Sequence, residues 1–235
     1  MTDGWDASAR AWIDEQGAAG DFAREFTLDG PMQARILAAG PARVLDVGCG
    51  EGRFCRWLAG QGIGAVGIDP TAALLAQARA LHPEGDYREG RAEALDFGGG
   101  SFDMVVSYLT LIDIPDYRAA ITEMARVLRP GGRLLVANMQ GYHTCGEARP
   151  EWREDGAGRV LLDRYLEERA EWAEWRDMRI RNWHRPLSAY MQAFIGAGLV
   201  LTHFDEPAPV GGPEPKQSRN TNAPFFHVME WMRPV

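Results

Sequence analysis

A glycine-rich turn between a predicted strand and a predicted helix is the part of the sequence best suited to bind a ligand. The string VLDVGCGEGRF places Gly48, Gly50 and Gly52 directly after an apolar run over 42–47. Glycines allow a backbone to approach a ligand where a Cβ atom would collide with it. The residue three positions after Gly50 is Arg53, so the string departs from the GxGxxG pattern that binds a dinucleotide pyrophosphate.

Two acidic residues at predicted strand ends indicate the chemistry of that ligand. Asp46 lies at the end of the first strand, where a carboxylate would repel a phosphate but suits an ammonium group. Asp69 ends the second strand, 19 positions after Gly50, and is placed to bind the two hydroxyls of a ribose. The predicted ligand is therefore nucleoside-like, carries an amine and lacks phosphates, and S-adenosyl-L-methionine meets all three conditions.

Alternating strands and helices predict the scaffold that positions these residues. After helices at 5–17 and 31–39, the pattern predicts strands at 42–47, 63–69, 101–109 and 130–138, separated by helices at 52–60, 71–81 and 116–128. Helices of this length between strands imply right-handed crossovers and a mostly parallel sheet covered on both faces. A helix at 186–198 and strands at 199–206 and 225–232 complete the pattern. The last two strands have only a loop between them, so they must be antiparallel if they pair.

Residues 139–185 interrupt this pattern and are predicted to form an α-rich insertion. The apolar residues that would share one face of a helix over 160–178 are Leu161, Tyr165, Trp172 and Trp175. This face either packs the insertion onto the sheet or onto a second subunit, or it forms an aromatic lid over an apolar or cationic acceptor.

Composition and charge argue against several functions. The chain has a net charge of −8, with Lys216 as its single lysine and no basic block, which is a poor fit to nucleic-acid binding. Its apolar runs are far shorter than a membrane span and its start lacks a signal core, so we expect a cytoplasmic protein without a membrane partner. The three cysteines form no CxxC pair, and neither a disulfide framework nor a metal site is predicted.

In five segments the chain resembles the class I S-adenosylmethionine-dependent methyltransferases of the small-molecule type. These segments are VLDVGCGEGRF, GIDPTAALLAQAR, EGRAEALDF, SFDMVVSYLTL and RVLRPGGRLLVAN. The resemblance implies an α/β fold with a doubly wound, seven-stranded, mostly parallel sheet in the order 3-2-1-4-5-7-6, whose last strand is antiparallel. Residues 41–138 and 186–235 would form the cofactor-binding domain, 1–40 a helical cap, and 139–185 a lid that binds the acceptor.

The resemblance also implies which residues contact the cofactor and its product, S-adenosyl-L-homocysteine. They are Asp46, Gly48, Cys49, Gly50, Asp69, Pro70, Ala92, Glu93 and Ser107. The first four would surround the methionine part, with the Asp46 carboxylate near the amine of the cofactor. Asp69 would bind the ribose. The next three would contact the adenine, and Ser107 would lie beside the transferable methyl group.

Catalysis of methyl transfer requires alignment more than acid–base chemistry, because the reaction is an in-line displacement at an activated carbon. A hydroxyl acceptor would still benefit from a base with a pKa near neutrality, which favours histidine. His143 and His184 lie where this family builds acceptor pockets, although either could be a packed structural residue. The catalytic candidates are His184, at the end of the insertion, and Tyr108, at the end of the predicted strand over 101–109.

The acceptor is expected to be a small molecule that is methylated at oxygen, nitrogen or carbon. SYLTL occupies the place of the Asn/Asp-Pro-Pro-Tyr signature of enzymes that methylate base or amide nitrogens. Two alternatives stay open: a non-catalytic regulatory protein that binds S-adenosylmethionine, and a methyltransferase acting on a protein side chain. A homodimer is also left open. A nicotinamide-dependent oxidoreductase would need the phosphate-binding pattern that is missing here.

Overall fold

Strands and helices alternate along most of the chain in the computed structural model, which describes residues 3–17, 20–145, 151–152, 158–159 and 162–235. The strands are β1 (Arg43–Val47), β2 (Gly64–Asp69), β3 (Asp86–Glu89), β4 (Phe102–Tyr108), β5 (Leu128–Met139), β6 (Glu151–Trp152), β7 (Gly158–Arg159), β8 (Arg169–Trp175), β9 (Met178–His184), β10 (Val200–Asp205) and β11 (Phe226–Met232). The helices are α1 (Trp5–Gln16), α2 (Asp29–Ala39), α3 (Arg53–Gly60), α4 (Ala72–Leu81), α5 (Tyr117–Val127), α6 (Gly141–Thr144), α7 (Leu187–Gly196) and α8 (Glu214–Asn222). A π-helical turn, Arg24–Leu28, leads into α2.

Within these residues, seven strands form one sheet in the order β3-β2-β1-β4-β5-β11-β10. Strand β11 runs antiparallel to both of its neighbours, and the other pairings are parallel. Counted along the sheet strands alone, this order is 3-2-1-4-5-7-6, which confirms the predicted fold. Two elements were not predicted. One is the short strand β3, and the other is helix α8, which lies in the segment 207–224 that was predicted to be a loop.

Both faces of the sheet are covered, which explains the nearly continuous apolar runs of the central strands. On one face α5 and α7 pack against β4, β5 and β11, and Phe194 stacks on Trp231 with ring centroids 4.7 Å apart. On the other face, α2 and α3 bury Met104, Val106 and Leu135. This packing leaves the carboxyl ends of β1, β2 and β4 as the edge available to a ligand.

The insertion is not the α-rich lid that was predicted, because residues 169–184 form a β-hairpin. Strands β8 and β9 pair antiparallel from Arg169 opposite His184 to Trp175 opposite Met178. The glutamate- and alanine-rich sequence of β8 favours a helix locally, but pairing with β9 overrides that preference. The predicted helix over 160–178 is therefore wrong for its described part, and Leu161 lies outside the described residues.

Helix α1 packs on this hairpin, and together they lie over the carboxyl edge of the sheet. The Arg181 amide donates to the Asp3 carbonyl at 2.8 Å, and the Ser8 hydroxyl bonds to the backbone of Arg179. Gly4 has a φ of +91°, and a Cβ atom there would lie 2.1 Å from the Arg179 carbonyl oxygen. Only glycine allows this close approach, so the contact between the chain start and the hairpin is specified by sequence.

Candidate functional site

A cavity of about 490 Å³ opens where β1, β2 and β4 end. Ligands of open α/β sheets bind at this edge, at the point where the strand order reverses. The glycine turn after β1, the residues after β2 and the loop after β4 form its floor and sides. Trp5 and Trp12 of α1 and Trp175 and Asn182 of the hairpin cover it.

The glycine turn has the shape of a cradle. Gly48 and Gly50 have φ values of +76° and +55°, and the amides of Gly48 and Cys49 both donate to the Ile68 carbonyl, at 2.8 and 2.9 Å. A Cβ atom on Gly48 would lie 2.2 Å from a side-chain atom of Thr110. At Gly50 the nearest atom, in Trp12, would be 4.0 Å away, so this position faces open space that a ligand can occupy.

Asp69 is held rigidly at the end of β2. One carboxylate oxygen accepts the Gly50 amide at 3.0 Å and the other accepts the Thr71 amide at 2.8 Å. The Thr71 side chain also bonds to this carboxylate, which still has acceptor capacity for a ligand. Burial raises the pKa of this carboxyl, and the two amide bonds counteract that effect. The arrangement suits two adjacent hydroxyl donors such as those of a ribose.

Asp46 supplies a second buried carboxyl beneath the turn. It is 2% exposed, accepts a hydrogen bond from the Cys55 thiol at 3.4 Å, and has its pKa raised by burial to about 7. A nearby cationic ligand would favour the ionised form and lower this pKa. Asp46 is therefore suited to an ammonium group.

The charge of the whole cavity supports a cationic ligand. Its lining includes seven acidic residues and three arginines: Asp3, Asp21, Asp46, Glu51, Asp69, Glu93 and Asp113, with Arg24, Arg53 and Arg91. Arg24 pairs with Asp21 at 3.1 Å and also lies 4.9 Å from the Trp12 ring centroid. This arginine, which was not among the predicted site residues, lines the cavity and is a cation that a ligand carboxylate could meet there.

Most of the residues predicted to contact the cofactor come together at this cavity. Those that line it are Asp46, Gly48, Cys49, Gly50, Asp69, Pro70, Ala92 and Glu93. Ser107 does not line the cavity and is fully buried. Successive strand residues point to opposite faces, so Tyr108 reaches the cavity while Ser107 faces the core beneath α5.

Tyr108 lines the cavity, but its hydroxyl is already engaged. The phenol donates to a carboxylate oxygen of Asp29 at 2.8 Å, and its ring meets Phe54 edge-on at 5.2 Å. Burial raises the pKa of Tyr108 far above its ordinary value, so it stays protonated at neutral pH. Tyr108 therefore forms part of the cavity wall and holds Asp29 in place. The Asp29 carboxylate also pairs with Arg53 at 2.7 Å.

His184 is not at the cavity, which corrects its prediction as the catalytic base. Its ring is 1% exposed and has both nitrogens engaged, Nδ1 with the Thr144 hydroxyl and Nε2 with the Tyr165 carbonyl, each at 2.8 Å. Burial lowers the pKa of the ring, which favours the neutral form. His143 does not line the cavity either, but it stacks at 3.6 Å on Phe225, which does. Among the described residues, no histidine lines the cavity.

Asp113, which was not among the predicted site residues, is a cavity carboxyl that both helix α1 and the β8–β9 hairpin contact. It lies in the loop after β4 and accepts hydrogen bonds from the side chains of Asn182, on β9, and Trp5, on α1. Burial raises its pKa to about 8. Because its two partners come from distant parts of the sequence, only the folded chain reveals this site.

The described part of the chain contains no cluster of three or more metal-ligating side chains. In the same residues, no helix has both the length and the apolar character needed to cross a membrane.

Comparisons with known proteins agree with this geometry. Residues 45–136 match the model of a family described as a methyltransferase domain. The chain is 39% identical over 97 residues to a malonyl-[acyl-carrier protein] O-methyltransferase of Erwinia billingiae, covering 41% of this chain and 39% of that enzyme. It is 37% identical over 115 residues to a demethylmenaquinone methyltransferase of Beutenbergia cavernae, covering 48% and 45% respectively. The chain thus spans less than half the length of each of these two relatives.

A solved structure is similar over nearly the whole chain. This is an S-adenosylmethionine-dependent methyltransferase from Mesorhizobium loti, with a TM-score of 0.77, 26% identity, and coverage of 92% of this chain and 100% of that one. The strand order of the sheet is the one expected of this fold. Residues 45–136 thus match a methyltransferase domain, and the chain as described has the fold of the class I S-adenosylmethionine-dependent methyltransferases.

Proposed function

We propose that this protein transfers the methyl group of S-adenosylmethionine to a small-molecule acceptor at oxygen, nitrogen or carbon. The observation that supports this most is the meeting, in one cavity, of a glycine cradle with Asp46 and Asp69. When bound, the cofactor supplies a methyl carbon activated by a sulfonium, whose bond to sulfur breaks as the bond to the acceptor forms. S-adenosyl-L-homocysteine is the product that remains.

The residues of the cavity fit this cofactor group by group. We place its ammonium at Asp46, its ribose hydroxyls at Asp69 and its carboxylate at Arg24. The adenine would lie between Pro70 and the loop after β4, with Ala92 and Glu93 at its edge. The excess of acidic side chains in the lining favours a ligand that carries a sulfonium and an ammonium.

Helix α1 and the β8–β9 hairpin would cover the acceptor, as parts of a cap over 1–40 and a lid over 139–185. Trp5, Trp12 and Trp175 give this cover an aromatic inner surface. Aromatic faces attract cations and exclude water, and both effects favour displacement at a sulfonium-bound carbon. Trp172 faces away from the cavity and lies under the Arg179 guanidinium, 4.1 Å from it.

For an acceptor that must lose a proton, we propose Asp113 as the proton acceptor, in the role that histidine was expected to have. Its pKa of about 8 is close to the pH at which such a base must work. The Asn182 amide and the Trp5 indole would hold the carboxylate toward the cavity while it takes the proton. Tyr108, whose hydroxyl donates to Asp29, would serve as a wall and not as a base.

For the methyl acceptor we propose only a chemical class, a small molecule, and not a particular compound. The two curated relatives are named for a malonyl-[acyl-carrier protein] and for a demethylmenaquinone, which differ in chemistry. A cytoplasmic location, the lack of nucleic-acid or membrane partners, and the question of a homodimer stay predictions from the sequence.

Two measurements test this function. Calorimetry should show micromolar binding of S-adenosyl-L-homocysteine, and a screen of small-molecule acceptors with methyl-labelled cofactor should show a mass gain of one methyl group. Binding without transfer to any acceptor would favour the regulatory alternative, and label found only in added proteins would favour a protein side chain. Absence of cofactor binding by the folded protein would refute the proposal.

A further inference from the structure

We propose that Arg185, buried behind the cavity, is a positioning residue that sets the wall formed by the loop over 111–115. This inference rests on the proposed function, because that loop would contact the cofactor and the acceptor. Arg185 itself does not line the cavity, whereas Ile112, Asp113, Ile114 and Pro115 do.

The guanidinium of Arg185 binds the loop through its backbone carbonyls. One terminal nitrogen donates to the Leu111 carbonyl at 2.9 Å, and the other donates to the Ile114 and Pro115 carbonyls at 2.6 and 3.0 Å. The Trp183 amide donates to a further carbonyl of the loop, that of Ile112, at 2.6 Å. The end of β9 therefore fixes the loop along most of its length.

A charge is buried at this position to make these bonds. Arg185 is 1% exposed, and the nearest acidic oxygen, in Glu168, is 3.9 Å from its Nε. The rings of Tyr117 and Trp183 lie 4.2 and 5.0 Å from the guanidinium carbon. Carbonyl oxygens and aromatic faces thus stabilise the cation in place of water. A guanidinium can reach several carbonyls at fixed angles, which a single lysine ammonium does not reproduce.

The consequence for the site is geometric. Asp113 lies between two residues whose backbone positions depend on Arg185, and its own side chain bonds to Asn182 on the same hairpin. Without the guanidinium, the Ile114 and Pro115 carbonyls lose this donor, the Leu111 carbonyl keeps only the Tyr190 hydroxyl at 3.5 Å, and the loop gains freedom. The cavity would then have to order the loop when a ligand binds, which weakens binding.

The chain contains a matched control at the opposite edge of the sheet. The Arg233 guanidinium also donates to three backbone carbonyls, those of Ala125, Arg126 and Leu128, at the end of α5. None of these residues lines the cavity. Loss of this arginine removes bonds of the same kind without touching the proposed wall.

The experiment compares Arg185→Met, Arg185→Lys and Arg233→Met with the unaltered protein, well below the melting temperature of each. Both methionine variants should melt earlier. Arg185→Met should raise the Kd of S-adenosyl-L-homocysteine about tenfold or more, Arg185→Lys should restore part of that loss, and Arg233→Met should leave the Kd within about twofold. Hydrogen exchange should speed up at the amides of residues 111–114 in the Arg185 variants alone.

The outcomes separate the two proposals. If the unaltered protein does not bind the product, the proposed function fails, and hydrogen exchange alone then judges whether Arg185 holds the loop. If the product binds and folded Arg185→Met matches the unaltered protein in both Kd and exchange, or Arg233→Met raises the Kd as much as Arg185→Met does, the positioning role is wrong. A failure of Arg185→Met to fold leaves the lysine variant to decide between these results.

Discussion

Replacement of Asp69 by alanine tests the binding geometry most directly. The carboxylate receives two backbone amides, from Gly50 and Thr71, and presents its remaining lone pairs to the cavity. In Asp69→Ala the cofactor would lose two hydrogen bonds to a charged acceptor. The turn carrying Gly50 would lose one anchor as well, although the amides of Gly48 and Cys49 would still bind the Ile68 carbonyl.

The expected size of the effect follows from these bonds. Hydrogen bonds to a charged group contribute about 1.5–3 kcal/mol, but water replaces part of what is lost in an opened cavity. We therefore expect a total loss of about 1.5–3 kcal/mol, which corresponds to a Kd about 10- to 160-fold higher. Asp69→Asn keeps the shape and one acceptor oxygen, so its loss should be smaller.

Calorimetry with S-adenosyl-L-homocysteine measures this effect, and Asp103→Ala is the matched control. Asp103 also accepts two backbone amides, those of Ala42 and Arg43, each at 2.8 Å, but at the far edge of the sheet. The control should lower stability without changing the Kd. An unchanged Kd in folded Asp69→Ala, or equal losses in Asp69→Ala and Asp103→Ala, would refute the assignment of the ribose site.

Four further predictions concern titration and the corrected catalytic residues. The product should bind more weakly as the pH falls below about 7, because protonated Asp46 cannot pair with an ammonium. Calorimetry at several pH values measures this effect, and Asp46→Asn should not show it. With an acceptor that must lose a proton, kcat should rise with pH toward a plateau above about 8, and Asp113→Asn should remove this limb and lower kcat about 10²-fold. Tyr108→Phe should change kcat less than about tenfold, since the phenol acts through Asp29; a loss near 10³-fold in steady-state assays would restore Tyr108 as a proton carrier. His184→Ala should lower the free energy of unfolding by about 1–3 kcal/mol in denaturant titrations and leave kcat nearly unchanged.

The glycine turn and the sheet order could be predicted because both depend on local sequence. Gly48 and Gly50 adopt left-handed backbone angles that other residues rarely adopt, and the apolar runs before Asp46 and Asp69 match strands buried on both faces. The chain order of strands and helices then leaves few ways to wind a parallel sheet. For this reason all of the residues predicted to contact the cofactor, except Ser107, line one cavity.

The hairpin could not be predicted in the same way, because a strand is defined by its partner. Residues 169–175 have helix-favouring composition, and their pairing with 178–184 depends on the packing of β9 against α1. His184 illustrates the consequence. Asn182 lies on the same face of β9 and reaches the cavity, whereas His184, two residues later, is covered by Thr144 and Tyr165. Sequence position alone cannot separate the two.

Two buried carboxyls at this edge of the sheet lower the stability of the folded chain near neutral pH and at the same time favour binding of a cation. Burial raises the pKa of Asp46 to about 7 and of Asp113 to about 8, above the ordinary value of 3.8. The unfolded chain therefore releases these protons at lower pH than the folded chain, so their contribution to stability falls as the pH rises from about 4 to about 8. A cationic ligand reverses this loss by favouring the ionised carboxyls in the folded state. The fold thus keeps two carboxyls at an unfavourable position, and the cationic cofactor that we propose would compensate their charge.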